Sequence, residues 1–131
     1  MGVEFCVAHE SGTIVDKELT PMGGFGGLPR WSYSGFSFFR TLLADEVGIS
    51  LSSMQGFGGD GSWLEVDDDL VPLLNHSDCD GSLSPEDCAR VAPRLRELVS
   101  RWEGGYDRDM GLRLAEIMEL CVVWDRRLLF I

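Results

Sequence analysis

The chain has 131 residues, of which 44% are hydrophobic and 25% are charged, and this is the size and composition of one globular domain over residues 1–131. Wholesale disorder, collagen-like repeats and a membrane span are excluded, since the longest apolar run, from Leu120 to Trp124, is far too short to cross a bilayer. The formal charge of −11 argues against nucleic-acid binding, which depends on Lys and Arg side chains that neutralise phosphates.

The four cysteines are expected to be reduced thiols. Gly2, Val3 and Glu4 follow the first methionine, and no basic segment precedes an apolar stretch, as it would in a secretion signal. Cysteines of proteins that stay in the cytosol rarely form disulfides. We therefore expect a cytoplasmic protein.

The negative charge is concentrated in the middle of the chain. Between Arg40 and Arg90 there are eleven acidic residues and no Lys or Arg, whereas the other residues hold eleven acids and eleven bases. We call residues 41–89 the acidic segment. Such a segment attracts a cation or a basic protein partner. The alternative is an acidic surface that only favours solubility.

The first predicted element is a strand. Apolar residues at every second position between Val3 and Val7 have the period of a half-buried strand. Turn residues follow, and residues 13–19 are expected to return as the second strand of an N-terminal hairpin. After a glycine-rich loop, a helix is expected to begin near Ser34 and to end at Gly48.

Two further helices are expected in the middle of the chain. Residues 67–74 favour a short helix with acids in its first turn, where the helix dipole stabilises them. A longer helix is expected from Pro85, because Ser84 can cap it and proline suits the first helical position. Pro93 lies inside this helical pattern and is expected to kink or interrupt the helix.

A last helix over residues 108–123 and a short β-prone strand over residues 128–131 complete the pattern. The predicted fold class is α+β, with about four helices on a small antiparallel sheet formed by the N-terminal hairpin and the short C-terminal strand. The apolar faces of the helices predict one shared core. Its predicted members are Phe36, Phe39, Leu43, Leu95, Leu98, Trp102, Leu114, Ile117 and Met118.

The twelve residues 76–87 are similar to the calcium loop of the EF-hand family. Gly81 falls at the sixth position, where the loop turns sharply, and apolar residues precede the loop as they do in the family. The expected calcium ligands, at positions 3, 5, 7 and 12, are Asp78, Asp80, the main-chain carbonyl of Ser82, and Asp87. This resemblance is limited to the loop and its flanks.

Two positions of the loop depart from the EF-hand pattern. His76 stands at position 1 in place of an aspartate, and Asp87 stands at position 12 in place of a bidentate glutamate. Both changes weaken calcium binding, so we expect a dissociation constant on the order of 10⁻⁴–10⁻³ M. The alternative is a purely structural turn that leads into a capped helix.

A zinc site and a catalytic site are the weaker alternatives. Cys6 and His9 are spaced as a ligand pair, as are His76 and Cys79, with Cys88 in reserve. However, residues three apart on a strand point to opposite faces. A small hydrolase that uses His76 or Cys79 would need an oriented nucleophile and base, and no motif around these residues provides them.

Two Gly-Phe-Gly-Gly stretches, 24–27 and 56–59, have a structural interpretation. They lack the Lys-Ser/Thr pair of a phosphate-binding loop. We expect Phe25 and Phe57 to anchor these loops in the core.

Arg90, Arg94 and Arg101 lie on one stripe of a predicted helix together with Glu97. Ion pairs within the helix are the usual outcome for such a stripe. The alternative is contact with the acidic segment, in the same molecule or in a second copy.

Four motifs occur in order between residues 31 and 103. They are Trp31-Ser32-Tyr33-Ser34-Gly35-Phe36, Gly56-Phe57-Gly58-Gly59, Leu73-Leu74-Asn75-His76-Ser77-Asp78-Cys79-Asp80-Gly81 and Ser84-Pro85-Glu86-Asp87-Cys88. With them the chain resembles an uncharacterised family of small actinobacterial and phage proteins. The resemblance implies a bacterial or phage cytosolic protein and assigns neither an activity nor functional residues.

We interpret the chain as a non-enzymatic acidic binding protein. It is expected to bind a divalent cation, calcium, weakly through residues 76–87. The alternative is a phage-derived binding or inhibitory module whose acidic segment docks a basic protein partner, with the loop purely structural.

Overall fold

The structure, a computed structural model, describes residues 2–16, 28–78 and 80–131. Four strands and four α-helices lie along these residues. In chain order they are β1 (Gly2–Val7), β2 (Arg30–Ser32), α1 (Tyr33–Glu46), α2 (Val71–Leu74), β3 (Ser82–Leu83), α3 (Pro85–Val99), α4 (Tyr106–Trp124) and β4 (Leu128–Phe130). Two short 3-10 turns, Leu51–Ser53 and Trp63–Glu65, lie between α1 and α2.

The strands form one antiparallel sheet in the order β2-β1-β4-β3. β1 pairs with two neighbours along its length, since Val3 lies opposite Trp31 of β2 and Cys6 lies opposite Leu129 of β4. The predicted α+β class and the pairing of the C-terminal strand with the N-terminal one are therefore confirmed.

The partner of the first half of β1 is β2 rather than the segment that directly follows β1. In the described part of residues 13–19, Val15 alone forms a β-bridge, opposite Ala8. Residues 17–19 lie outside the described residues. β2 joins the sheet because its central residue, Trp31, is buried in the core.

α1 and α4 pack against β1, and α3 packs along α4. The predicted core is confirmed: eight of its nine residues are buried, and Trp102 packs against them partly buried. The ring of Trp31 stacks on Phe39 with 4.5 Å between centroids, which joins β2 to α1. Phe57 packs partly buried against the core as predicted, whereas Phe25 lies outside the described residues.

A serine side chain caps the start of α1 and of α3, and the cap of α3 is the one that the sequence predicted. The Ser32 hydroxyl accepts the N–H of Gly35 at 3.0 Å, and the Ser84 hydroxyl accepts the N–H of Asp87 at 3.1 Å. After α1, Gly48 has a φ of +79°, a left-handed conformation that favours glycine.

The predicted interruption at Pro93 does not occur. α3 is assigned as one continuous helix of 15 residues that includes Pro93. A proline removes one backbone hydrogen bond, but Val91 and Leu95 on either side of it are fully buried. Packing of the apolar face therefore outweighs the local loss.

α2 is a single turn, shorter than the helix predicted over residues 67–74. The acids precede this turn instead of lying within it, because the Asp68 carboxylate accepts the N–H of Leu70 at 2.9 Å. The carboxylate thereby holds the chain just before α2 begins.

α4 begins two residues before the predicted start, at Tyr106. It ends at Trp124, and the next residue, Asp125, caps the helix with a left-handed φ of +53°. Among the described residues, no helix combines the length and the apolar character that a membrane span requires.

Candidate functional site

Residues 80–87 contain a glycine turn, a short strand and a helix cap, in that order. Gly81 turns with a φ of +90°, the next two residues form β3, and Ser84 then caps α3. The Gly81 carbonyl accepts the N–H of Phe130 at 3.0 Å, so β4 holds the turn. A substitution at Gly81 would be strained, because side chains rarely adopt this conformation.

Two of the four predicted ligands of the loop, Asp80 and Ser82, make contacts within the protein itself. Asp80 accepts the Ser77 hydroxyl at 2.8 Å. The carbonyl oxygen of Ser82 lies 3.0 Å from Nε2 of His76, and the Ser82 hydroxyl accepts Nε–H of Arg127 at 2.8 Å. In the part of the chain that the structure describes, no three His, Cys, Asp or Glu side chains are grouped in a way that could hold a metal ion.

The ring of His76, the first residue of this loop, is held by several contacts. Its Nδ1 lies 3.0 Å from the Ser77 carbonyl oxygen, and its ring stacks on Phe130 with 3.9 Å between centroids. The ring therefore bridges position 1 of the loop to Ser82, the carbonyl at position 7. A calcium ion that used this carbonyl would have to displace the imidazole.

Arg40, on α1, holds the start of the loop. It is 3% exposed, and its Nη1 donates to the carbonyl oxygens of Leu74 and His76. The guanidinium carbon lies 4.7 Å from the ring centroid of Phe36 and 5.1 Å from that of Phe57. The sequence signal is an arginine four residues after Phe36 on an apolar helix face, and this signal was missed.

An acidic aromatic cavity of about 730 Å³ lies where the end of α1 meets the α3–α4 connection and the first turn of α4. We call it the acidic cavity. It is lined by Leu42, Asp45, Glu46, Trp102, Glu103, Gly105, Tyr106, Asp107 and Arg108. Four of these side chains are carboxylates, and Arg108 is the single basic residue among the described residues that line it.

Indole groups hold two of the carboxylates in place. Trp102 Nε1–H donates to Glu46 at 3.0 Å, and Trp31 Nε1–H donates to Asp107 at 3.0 Å. The hydroxyl of Tyr106 bonds to a backbone carbonyl of β2, which fixes the phenol ring. Sequence reasoning missed this cavity because its residues come from two distant segments that only the fold brings together.

Both interpretations of the arginine stripe are realised in part. Glu97 pairs with Arg94 at 3.5 Å and with Arg101 at 2.6 Å, whereas two of the arginines also meet the acidic segment within the molecule. Arg90 pairs with Asp69 at 3.1 Å, and Arg94 pairs with Asp68 at 3.2 Å. These two carboxylates are therefore paired, whereas Asp45 and Glu46 lie in the acidic cavity. The hydrogen bond to Asp68 raises the pKa of Arg94.

The cysteines of the described residues are buried free thiols. Burial raises the pKa of Cys6 to about 11, and the hydrogen bond with Cys121, followed by burial, raises that of Cys88. Such thiols are poor nucleophiles near neutral pH. His9 is exposed while Cys6 is fully buried, so the two are not placed as a zinc ligand pair, and Cys79 lies outside the described residues.

No protein-family model, curated protein or solved structure matches the chain. The resemblance to small actinobacterial and phage proteins therefore stays a prediction.

Proposed function

We propose that the protein is a non-enzymatic binding module that docks a basic protein partner through the acidic cavity. The observation that carries this proposal is the composition of the cavity. Four carboxylates, two aromatic side chains and one arginine are among the groups that line this cavity of about 730 Å³. An arginine or lysine side chain of a partner has the matching charge.

The aromatic residues narrow the chemistry of the ligand. A cation over the face of an indole or phenol ring gains from the ring quadrupole, and carboxylates beside it add charge-assisted hydrogen bonds. Trp102 and Tyr106 line the cavity together with the carboxylates. The carbonyl end of α1 also favours a positive charge beside Asp45 and Glu46.

The rest of the acidic segment would act at longer range. Exposed acids such as Asp60, Glu65 and Asp67 lie outside the cavity and in no ion pair between described residues. Their field would raise the rate of encounter with a basic surface, and added salt would weaken this effect. In a phage-derived module, such docking would inhibit the basic partner.

The test is calorimetric binding of a tetra-arginine peptide at low and at physiological salt. The double variant Asp45→Asn/Glu103→Gln removes two cavity charges and leaves both indole contacts in place. We expect it to weaken binding by about tenfold, roughly the effect of losing two charge-assisted contacts.

The matched control is Glu65→Gln/Asp67→Asn, which removes the same charge from exposed positions outside the cavity. We expect this control to change the affinity by about twofold or less, since exposed and screened charges contribute little. Equal losses in both double variants would overturn the proposal, because they would mean diffuse attraction to the whole acidic surface.

Weak calcium binding by residues 76–87 is the second candidate function. The turn at Gly81 and the cap at Ser84 are the observations that favour it. In this proposal Asp78, Asp80, the Ser82 carbonyl and Asp87 turn to the ion while His76 moves aside. The affinity is then weak, because the imidazole contact must be given up.

A further inference from the structure

The Arg40 guanidinium forms hydrogen bonds within the protein on one side only. Nη1 donates to two backbone carbonyls, whereas Nε is buried and has no hydrogen-bond partner among the described residues. The Nε and Nη2 edge of a guanidinium is a fork that matches the two oxygens of a carboxylate. A buried donor without a partner is unfavourable, so an oxyanion at this edge would stabilise the protein.

A cavity of about 410 Å³ adjoins this arginine. Its volume lies in the range of small-molecule sites. Besides Arg40, its walls include Ser37, Phe57, Asn75, His76 and Asp78. The lining thus offers a hydroxyl, an amide and two opposite charges next to an aromatic ring.

Asp78 decides which ligand suits the cavity. It is half-buried, and Arg40 and Asp78 are not joined by an ion pair among the described residues. Burial lowers the pKa of Arg40, and the charge of Asp78 acts in the opposite direction. A simple anion would be attracted by the arginine and repelled by the aspartate, and the reverse holds for a simple cation. A ligand that carries both charges suits both groups.

We propose that this cavity binds a small zwitterion of the α-amino acid class. The ligand carboxylate lies on the Nε and Nη2 edge of Arg40, and the ligand ammonium lies beside Asp78. The ring of Phe57, which covers the guanidinium at 5.1 Å, turns aside to admit the carboxylate and then forms a wall of the site. This site is separate from the acidic cavity and does not depend on the proposed docking function.

The experiment is an NMR titration of the ¹⁵N-labelled full chain with L-alanine, propionate and ethylamine. The last two are alanine without its ammonium group and alanine without its carboxylate. We expect L-alanine to shift the Nε–H signal of Arg40 and the backbone amides of residues 75–78. We expect propionate to bind about tenfold more weakly and ethylamine to leave the Arg40 signal unchanged.

The variant Asp78→Asn provides the matched test, because it removes the repulsion without touching the carbonyl contacts of Arg40. In this variant propionate should bind as well as L-alanine does. Asp67→Asn, which changes an exposed acid outside the cavity, should keep the wild-type preference. Unchanged Arg40 and loop signals in the presence of millimolar L-alanine would overturn the proposal, as would equal affinity of the wild type for all three probes.

Discussion

Residues 76–87 and the acidic cavity are both rich in carboxylates, but the protein treats them differently. In the loop, Asp80 accepts a serine hydroxyl, and the Ser82 carbonyl faces the His76 ring instead of an ion. In the acidic cavity, indoles orient two carboxylates while the space in front of them stays open. The difference teaches that acidic composition alone does not locate a binding site. What matters is whether the fold leaves open space in front of the carboxylates.

The largest expected effect concerns the core that supports both regions. Leu98 of α3 is 2% exposed, so Leu98→Ala should lower the free energy of unfolding by about 2–5 kcal/mol. The control is Leu64→Ala, at a side chain that is 98% exposed, which should change it by less than about 0.5 kcal/mol. Urea denaturation measures both. A loss below about 0.5 kcal/mol for Leu98→Ala would contradict the common core.

Cys6 of β1 contrasts with both acidic regions, because burial favours its neutral thiol form. Burial raises the pKa of Cys6 from an ordinary 9.0 to about 11. The folded state therefore keeps a proton that the unfolded chain loses, so the stability contributed by the neutral Cys6 thiol is complete below pH 9.0 and falls as the pH rises to about 11. The free energy of unfolding decreases by up to about 2.7 kcal/mol for this reason.

Denaturation curves between pH 8 and 11 measure this decrease for the wild type and for Cys6→Ala. The variant should lose less stability over that interval, although it starts from a lower value because a buried side chain is truncated. The same pH slope in both proteins would show that Cys6 contributes nothing to it.

The sequence predicted the elements that carry a clear period or a clear cap. β1, α1, α3 and α4 have such signals, and the structure contains them within a few residues of the predicted bounds. β2 and β3 have three and two residues, which is too short for a strand period to show. Their places in the sheet depend on tertiary contacts, such as the burial of Trp31.

The candidate sites were harder to predict, for a different reason. The glycine at position 81 indicated a turn and the capping pattern at Ser84 indicated a helix start, since both depend on local backbone chemistry. The EF-hand resemblance itself stays a prediction. The spacing of the loop residues did not reveal that the His76 ring reaches the Ser82 carbonyl, because spacing along the chain does not give the direction of a side chain. In the sequence Arg40 only marks the boundary of the acidic segment, whereas in the structure it is buried and contacts the start of the loop.

Calcium binding by the loop has an effect on stability that depends on the calcium concentration. With a dissociation constant on the order of 10⁻⁴–10⁻³ M, calcium at about 100 times that value would add about 2.7 kcal/mol, and lower concentrations less. Thermal unfolding should therefore shift upward in tens of millimolar calcium, and Asp80→Ala should abolish the shift.

His76→Asp sharpens the calcium test. This substitution places a carboxylate at position 1 and frees the Ser82 carbonyl, so we expect a larger calcium-induced shift than in the wild type. Identical responses of the wild type and Asp80→Ala would mean that residues 76–87 are a structural turn without an ion.

The contrast between the two regions is tested most directly by mapping where a basic ligand binds. In an NMR titration with tetra-arginine peptide, we expect the indole N–H of Trp102 and the amides of residues 103–108 to shift most. The amides of residues 76–87 should move little, because that loop is engaged by its own side chains. Shifts that are largest in residues 76–87, or spread evenly over the acidic segment, would contradict docking in the acidic cavity.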